Sequence, residues 1–207
     1  MPEQTPISPW STIWSNPRQT VRNVLATDPN RSMRLLIVGG GIGQACSFAA
    51  SFGLGQTASI PEIFAFVLVF GPLAGFLSVL LWSWLLTWTS RWLGGTATRQ
   101  QLRVAVAWSW APVVYLLPLW GVRYILFRDE LFLLKRPIIE SYALLSGLYS
   151  FFGIVDFFVS FFSLFILFQA VAEVSSLSIW KSIGAIAAIM LLLTIPAILL
   201  FSVFSPM

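Results

Sequence analysis

The sequence predicts an all-α polytopic membrane protein with five transmembrane helices, its N-terminus cytoplasmic and its C-terminus outside. Three observations carry this reading. Of the 207 residues, 57% are hydrophobic and only 10% charged, against about 25% charged in soluble domains; mean hydropathy is +0.85. The apolar residues fall into five runs, each able to cross roughly 30 Å of hydrocarbon. Summed over alternate sides of those runs, Lys and Arg stand eight against three or four, the kind of asymmetry that sets membrane orientation.

Composition also removes several function classes. The net charge of +4 and pI of about 9.7 are explained by cationic anchors facing phospholipid headgroups. No dense Lys/Arg cluster is present, so a nucleic-acid partner is not expected. Cys46 is the only cysteine and histidine is absent. An internal disulfide is thereby excluded, and neither a metal centre nor any other cofactor site is expected. The first 34 residues hold no apolar core followed by a small-residue cleavage site, so no cleaved signal peptide is expected.

Residues 1–34 read as a cytoplasmic tail with a short amphipathic helix, and residues 35–207 as the membrane domain. Pro2, Pro6 and Pro9 break up the tail, with Trp10 and Trp14 as interface anchors. Asn16-Pro17 reads as an N-cap with proline at the first helical position. The helix shows a Val21, Val24, Leu25 stripe flanked by Arg18 and Arg22, and ends by Asp28-Pro29. Two placements stand: flat on the headgroups, or as a cap on the bundle.

The first span runs from Leu35 to about Leu54. Gly39, Gly43, Ser47, Ser51 and Gly55 recur every four residues, a seam where another helix can approach closely. LLIVGGGIGQA also imitates a dinucleotide fingerprint, but Gln44 stands where its third glycine belongs and no ribose-binding acid follows in context. The second span, Ile63 to about Trp88, carries Gly71 and Gly75, which could receive that seam, and Pro72, expected to kink it. Trp82, Trp84, Trp88 and Trp92 form an aromatic belt.

RWLGGTATRQQLRVAVAWSWAP, from Arg91 to Pro112, is a polar hairpin with a Gly94-Gly95 break. Thr98 and Gln101 at capping-box spacing predict a helix restarting there. The third span, about Val104 to Phe127, contains Pro112 and Pro118, each of which deletes a helical hydrogen bond. Arg128 to Ser150 predicts an interfacial helix broken near Pro137. The fourth span is Phe151 to about Val171, with a start as early as Tyr142 also open. Ser178 is the predicted N-cap of the fifth span, Ile183 to about Phe204, with Trp180 and Lys181 as anchors.

Orientation follows from counting. Arg18, Arg22, Arg31, Arg34, Arg91, Arg99, Arg103 and Lys181 fall on one side, and Arg128, Lys135 and Arg136 on the other, with Arg123 inside the third span. The richer side is cytoplasmic.

Charges within spans carry a functional hypothesis by default. Arg123 lies about 6 Å inside its span end and Asp156 about 7 Å inside its own, at 1.5 Å per residue. Matching depths predict an ion pair; the alternative is that Arg123 snorkels to the headgroups while Asp156 faces a wet cleft. Glu173, at a helix C-terminus, needs a cation. Arg103 or Lys181 would form a cytoplasmic clasp with it, and a proton site is the competing reading.

Four stretches carry a family likeness: NPRQTVRNVLATDPNR, GPLAGFLSVLLWSWLLTWTSRWLGG, LRVAVAWSWAP and AEVSSLSIWKS. In their order and spacing the chain resembles the Ypt-interacting-protein (Yip-domain) family, in its bacterial branch. The resemblance implies a five-helix Yip-type bundle with a cytoplasmic N-terminus and no catalytic residues. Eukaryotic relatives are associated with Rab-type GTPases, but this sequence shows no DLYGP-like motif. An enzyme fits badly, since no nucleophile–base pair or metal-ligand set is present. The expected function is a membrane scaffold or adaptor working through lipids, other membrane proteins or self-association. The alternative is a small-solute or ion transporter or channel acting as an oligomer, suggested by the prolines.

Overall fold

A computed structural model describes residues 8–204, with side chains described as far as Ile195 except at Leu193. The expected tail before Ser8, with Pro2 and Pro6, lies outside the described residues, as do the last side chains of the fifth span. The described residues form helices and no strand. In order these are α1 (Pro9–Thr12), α2 (Pro17–Thr27), α3 (Met33–Ser51), α4 (Ile60–Trp92), α5 (Arg99–Ser109), α6 (Ala111–Tyr115), α7 (Leu117–Phe127), α8 (Pro137–Ser141), α9 (Ala143–Val174) and α10 (Ile179–Phe204). Short 3-10 turns cover Leu54–Gln56 and Arg128–Phe132.

Local chemistry sets several of these starts. Thr98 N–H donates to Gln101 Oε1 at 2.9 Å, and Gln101 N–H donates to Thr98 Oγ1 at 3.3 Å. This is a reciprocal capping box at the head of α5. Ser178 Oγ accepts from Lys181 N–H at 3.4 Å at the head of α10. Glu62 folds back on Ser59 N–H at 2.7 Å at the head of α4, a cap that escaped the sequence reading. Asn16 stands before Pro17 as expected, but its side chain makes no capping bond. Pro17 supplies the fixed φ that starts this helix.

Met33–Ser51, Ile60–Trp92, Arg99–Phe132 and Ala143–Val174 are long and apolar enough to cross a membrane, and Ile179–Leu192 is the described apolar part of a fifth helix. The α4 helix has 33 residues, or about 50 Å, so its ends reach past the hydrocarbon. Exposed apolar side chains run along α4 (Leu68, Val69, Phe70, Leu73, Phe76, Leu77) and α9 (Phe151, Ile154, Phe157, Phe158, Phe161). Such surfaces are stable against lipid and untenable in water. The chain is an all-α, multi-pass membrane protein.

Two compact units contain these helices. One comprises the described residues up to Pro29, Leu80–Val106, and those from Ile166 onward. Here Val21 and Val24 of α2 are fully buried, as are Leu86, Leu102 and Ile166 in the same unit. The α2 stripe is thus covered by protein, as the cap placement requires. Gly94, with φ +88°, turns the chain between α4 and α5. Thr96 N–H donates to Ser175 O at 3.2 Å, and Lys181 Nζ donates to Leu93 O at 3.2 Å.

The other unit comprises Asn30–Val79 and Ala107–Phe165. Its core joins Ala45, Cys46 and Ala49 of α3, Ile63 and Val67 of α4, and Phe127, Leu131, Phe132, Ile139 and Phe152. Here the glycine seam works differently from the sequence expectation. Gly41 meets Gly71 and Gly75: a Cβ on Gly41 would lie 2.1 Å from Gly71 O and 3.0 Å from Gly75 Cα. Gly39 and Gly43 instead face Val114, Val113 and Leu117, and Gly55 faces Phe132 and Leu133. At about 100° per residue, Gly41 points away from Gly39 and Gly43. The α3 helix therefore offers two small-residue faces to two neighbours.

The prolines also need a correction. Pro112 and Pro118 sit in the first turns of α6 and α7, each just past an interruption of the third span. Pro72, expected not only to kink the second span but to break it as Pro112 and Pro118 break the third, lies inside an unbroken α4. Long apolar helix on both sides makes further opening of the backbone costly where no water is available, so the helix continues through it.

Candidate functional site

The five charged positions singled out from sequence, Arg103, Arg123, Asp156, Glu173 and Lys181, divide between the two units. In the unit containing α3 and α7, Arg123 is buried, its side chain only 5% exposed, while the Asp156 side chain is 51% exposed. Arg123 Nη1 donates to Asp156 Oδ2 at 2.7 Å, and Nη2 donates to Oδ1 at 2.7 Å. This fork-to-fork pairing is the strongest geometry an arginine makes with a carboxylate. Nη2 also donates to Phe152 O at 3.1 Å. The guanidinium lies 4.9 Å from the ring centres of both Trp120 and Phe152. Those π faces help hold a cation out of water.

The pair borders a cavity of about 320 Å³ at the end of this unit that carries the Arg128–Ser141 connection. Ser47 and Ser51 from the last turns of α3 line it, with Arg136, Tyr149 and Gly153. Arg136 stacks 4.5 Å over the Tyr149 ring. Glu130, buried in the 3-10 turn, does not neutralise it. That carboxylate accepts from Ile138 and Ile139 N–H, each at 2.9 Å, and so caps α8. Two guanidiniums and one carboxylate line the cavity, so its walls carry a net +1. Arg136, Tyr149 and the Glu130 cap were not singled out from sequence. The only early signal was the charge density of the connection.

In the other unit, Glu173 does not meet Arg103 or Lys181. Arg22 Nη2 lies 2.6 Å from Glu173 Oε1, and Arg22 Nε donates to the same oxygen at 2.7 Å. Arg18 Nε donates to Gln169 Oε1. Arg18 and Arg22 are four apart on α2, and Gln169 and Glu173 four apart on α9, so two one-turn rows face each other. That match occupies the acid. Arg103 is exposed, and Lys181 is turned toward Leu93 O.

The LLIVGGGIGQA stretch lies inside α3, without the strand and turn that would cradle a pyrophosphate. No group of three or more His, Cys, Asp or Glu side chains gathers at metal-binding distance among the described residues.

The Yip1 domain matches residues 11–201, from α1 to the last turns of α10. No curated protein and no solved structure matches the chain. With nearly its whole length covered by that match, the chain belongs to the Yip1-domain family of multi-pass membrane proteins.

Proposed function

We propose that the protein is an integral membrane scaffold or adaptor of the Yip type, without catalysis, acting on membrane proteins or on copies of itself. The observation that supports this reading is the use made of its charges. Arg123–Asp156 ties α7 to α9, and Arg22–Glu173 ties α2 to α9. Charges engaged in helix-to-helix clasps fix a shape, and these two carboxylates are held by arginines rather than set beside a nucleophile. In this reading residues 1–34 are cytoplasmic, residues 35–207 form the membrane domain, and the C-terminus lies outside. The setting is a bacterial inner membrane, consistent with the eight cations on the cytoplasmic side.

Affinity purification from native membranes, followed by identification of bound proteins, tests the proposal. A reproducible set of membrane partners, reduced by Arg22→Ala, is the expected result. A second reading, an oligomeric transporter of a small solute or ion, draws on the cavity beside Arg123 and Asp156. Saturable solute flux in proteoliposomes without any partner would replace the scaffold reading with that one.

A further inference from the structure

We infer that the cavity bordered by Arg123 and Arg136 is a binding site for a phosphate-bearing anion, in the form of a lipid headgroup or a free phosphate. Four features point to this chemistry. First, the two guanidiniums outnumber the one carboxylate on the cavity wall, which leaves a net positive charge for a monoanion to neutralise. Second, the Arg136 side chain makes no ion pair and no hydrogen bond among the described residues, while stacking on Tyr149 holds its planar fork in one orientation. A pre-oriented guanidinium matches phosphate oxygens in pairs.

Third, Arg123 Nε and Arg136 Nε are both buried without an acceptor. A buried donor left unmade costs free energy, and an anion in the cavity offers oxygens to such donors. Fourth, the Ser47 and Ser51 hydroxyls line the same space. Ser47 already donates to Gly43 O at 3.0 Å, and its oxygen lone pairs remain available to a headgroup hydroxyl. The volume of about 320 Å³ equals roughly ten waters at ~30 Å³ each, enough for a phosphate with a short polyol and too small for an acyl chain besides. Arg123 lies about 6 Å from the end of α7, a depth that a headgroup can reach from the bilayer surface. Asp156 sets the selectivity. Its charge opposes the site's cations, so monoanionic phosphodiesters are favoured over more highly charged groups.

The test uses the full-length protein in maltoside detergent, titrated with dihexanoyl phosphatidylglycerol, with inorganic phosphate, and with phosphate-free dihexanoylglycerol. Tyr and Trp fluorescence and native mass spectrometry report binding. Saturable binding of the phospholipid with none of dihexanoylglycerol is expected. Binding of phosphate alone as well identifies a free anion as a sufficient ligand; binding of the phospholipid alone identifies a headgroup. Arg136→Gln should weaken binding by about tenfold or more, the loss of a charge-assisted hydrogen bond. Gly153→Leu is the second variant. A Cβ there meets nothing within 4 Å, so the side chain enters open space at the cavity wall and should block the ligand while α9 stays folded. Equal binding of dihexanoylglycerol, no saturable binding of either phosphate compound, or unchanged affinity in both variants would overturn the inference.

Discussion

Replacing Asp156 by Asn removes one charge and almost no volume, and it isolates what the carboxylate does for Arg123. Breaking a fully buried pair typically costs about 3–5 kcal/mol, because the remaining charge is left uncompensated. Two features of this site lower that figure. Asp156 is half exposed, so solvent screens the attraction. Arg123 also keeps the Phe152 carbonyl and two aromatic faces, each able to stabilise a cation by about 0.5–2 kcal/mol. A loss of about 1–3 kcal/mol is expected, or roughly 2–12 °C in the melting temperature by the scaling for 150–250-residue domains. The assay is thermal unfolding in detergent of the wild type, Asp156→Asn, Arg123→Met and the double variant. Arg123→Met keeps length and removes the charge. Each single change strands its partner, so the double variant should be less damaged than the sum of the two. Additive losses, or no loss in Asp156→Asn, would refute the clasp as a coupled pair.

Three further outcomes follow from the geometry. Gly41→Ala should cost about 1–3 kcal/mol by overpacking, since its Cβ would sit 2.1 Å from a backbone oxygen. Gly147→Ala, with nothing within 4 Å, should be neutral or gain about 0.5–1 kcal/mol; melting temperatures of the two variants compare them directly. Arg22→Gln should cost about 1 kcal/mol or less, because Arg22 is 69% exposed and exposed pairs contribute little. Its signature is instead faster tryptic cleavage at Arg18, while Arg103→Ala leaves the rate of that cleavage unchanged. Cysteines introduced at Thr96 and Lys135 should be labelled from opposite sides of an intact membrane, Thr96 from the cytoplasm; labelling of both from one side would contradict the topology.

Much of the architecture was legible because it depends on local chemistry. Apolar run lengths gave the spans, and Thr98 with Gln101, Ser178 and Pro17 gave helix starts to within a residue or two. The Arg123 and Asp156 depths were also readable, since each follows from residue count along one helix. What escaped reading depended on which helix lies beside which. The i, i+4 spacing drew attention to Gly39 and Gly43, yet the closest backbone approach uses Gly41, on another face of the same helix. Glu173 points by its spacing to Arg103 or Lys181, cations expected on the same side of the membrane, whereas its partner, Arg22, is 151 residues away in sequence.

By itself, then, the sequence determined a multi-pass helical membrane protein, its span order and its family, because hydropathy, capping and proline chemistry act over a few residues. The tertiary structure alone decided which glycine face meets which helix, that α2 is fastened by Arg18 and Arg22 along α9, and that Arg136 comes to share a cavity with Arg123. The reason is physical: burial and ion pairing depend on distances across the fold, and many helix rotations bury equal apolar area in lipid. Only the close approach of small residues and the meeting of charged groups distinguish one rotation from another.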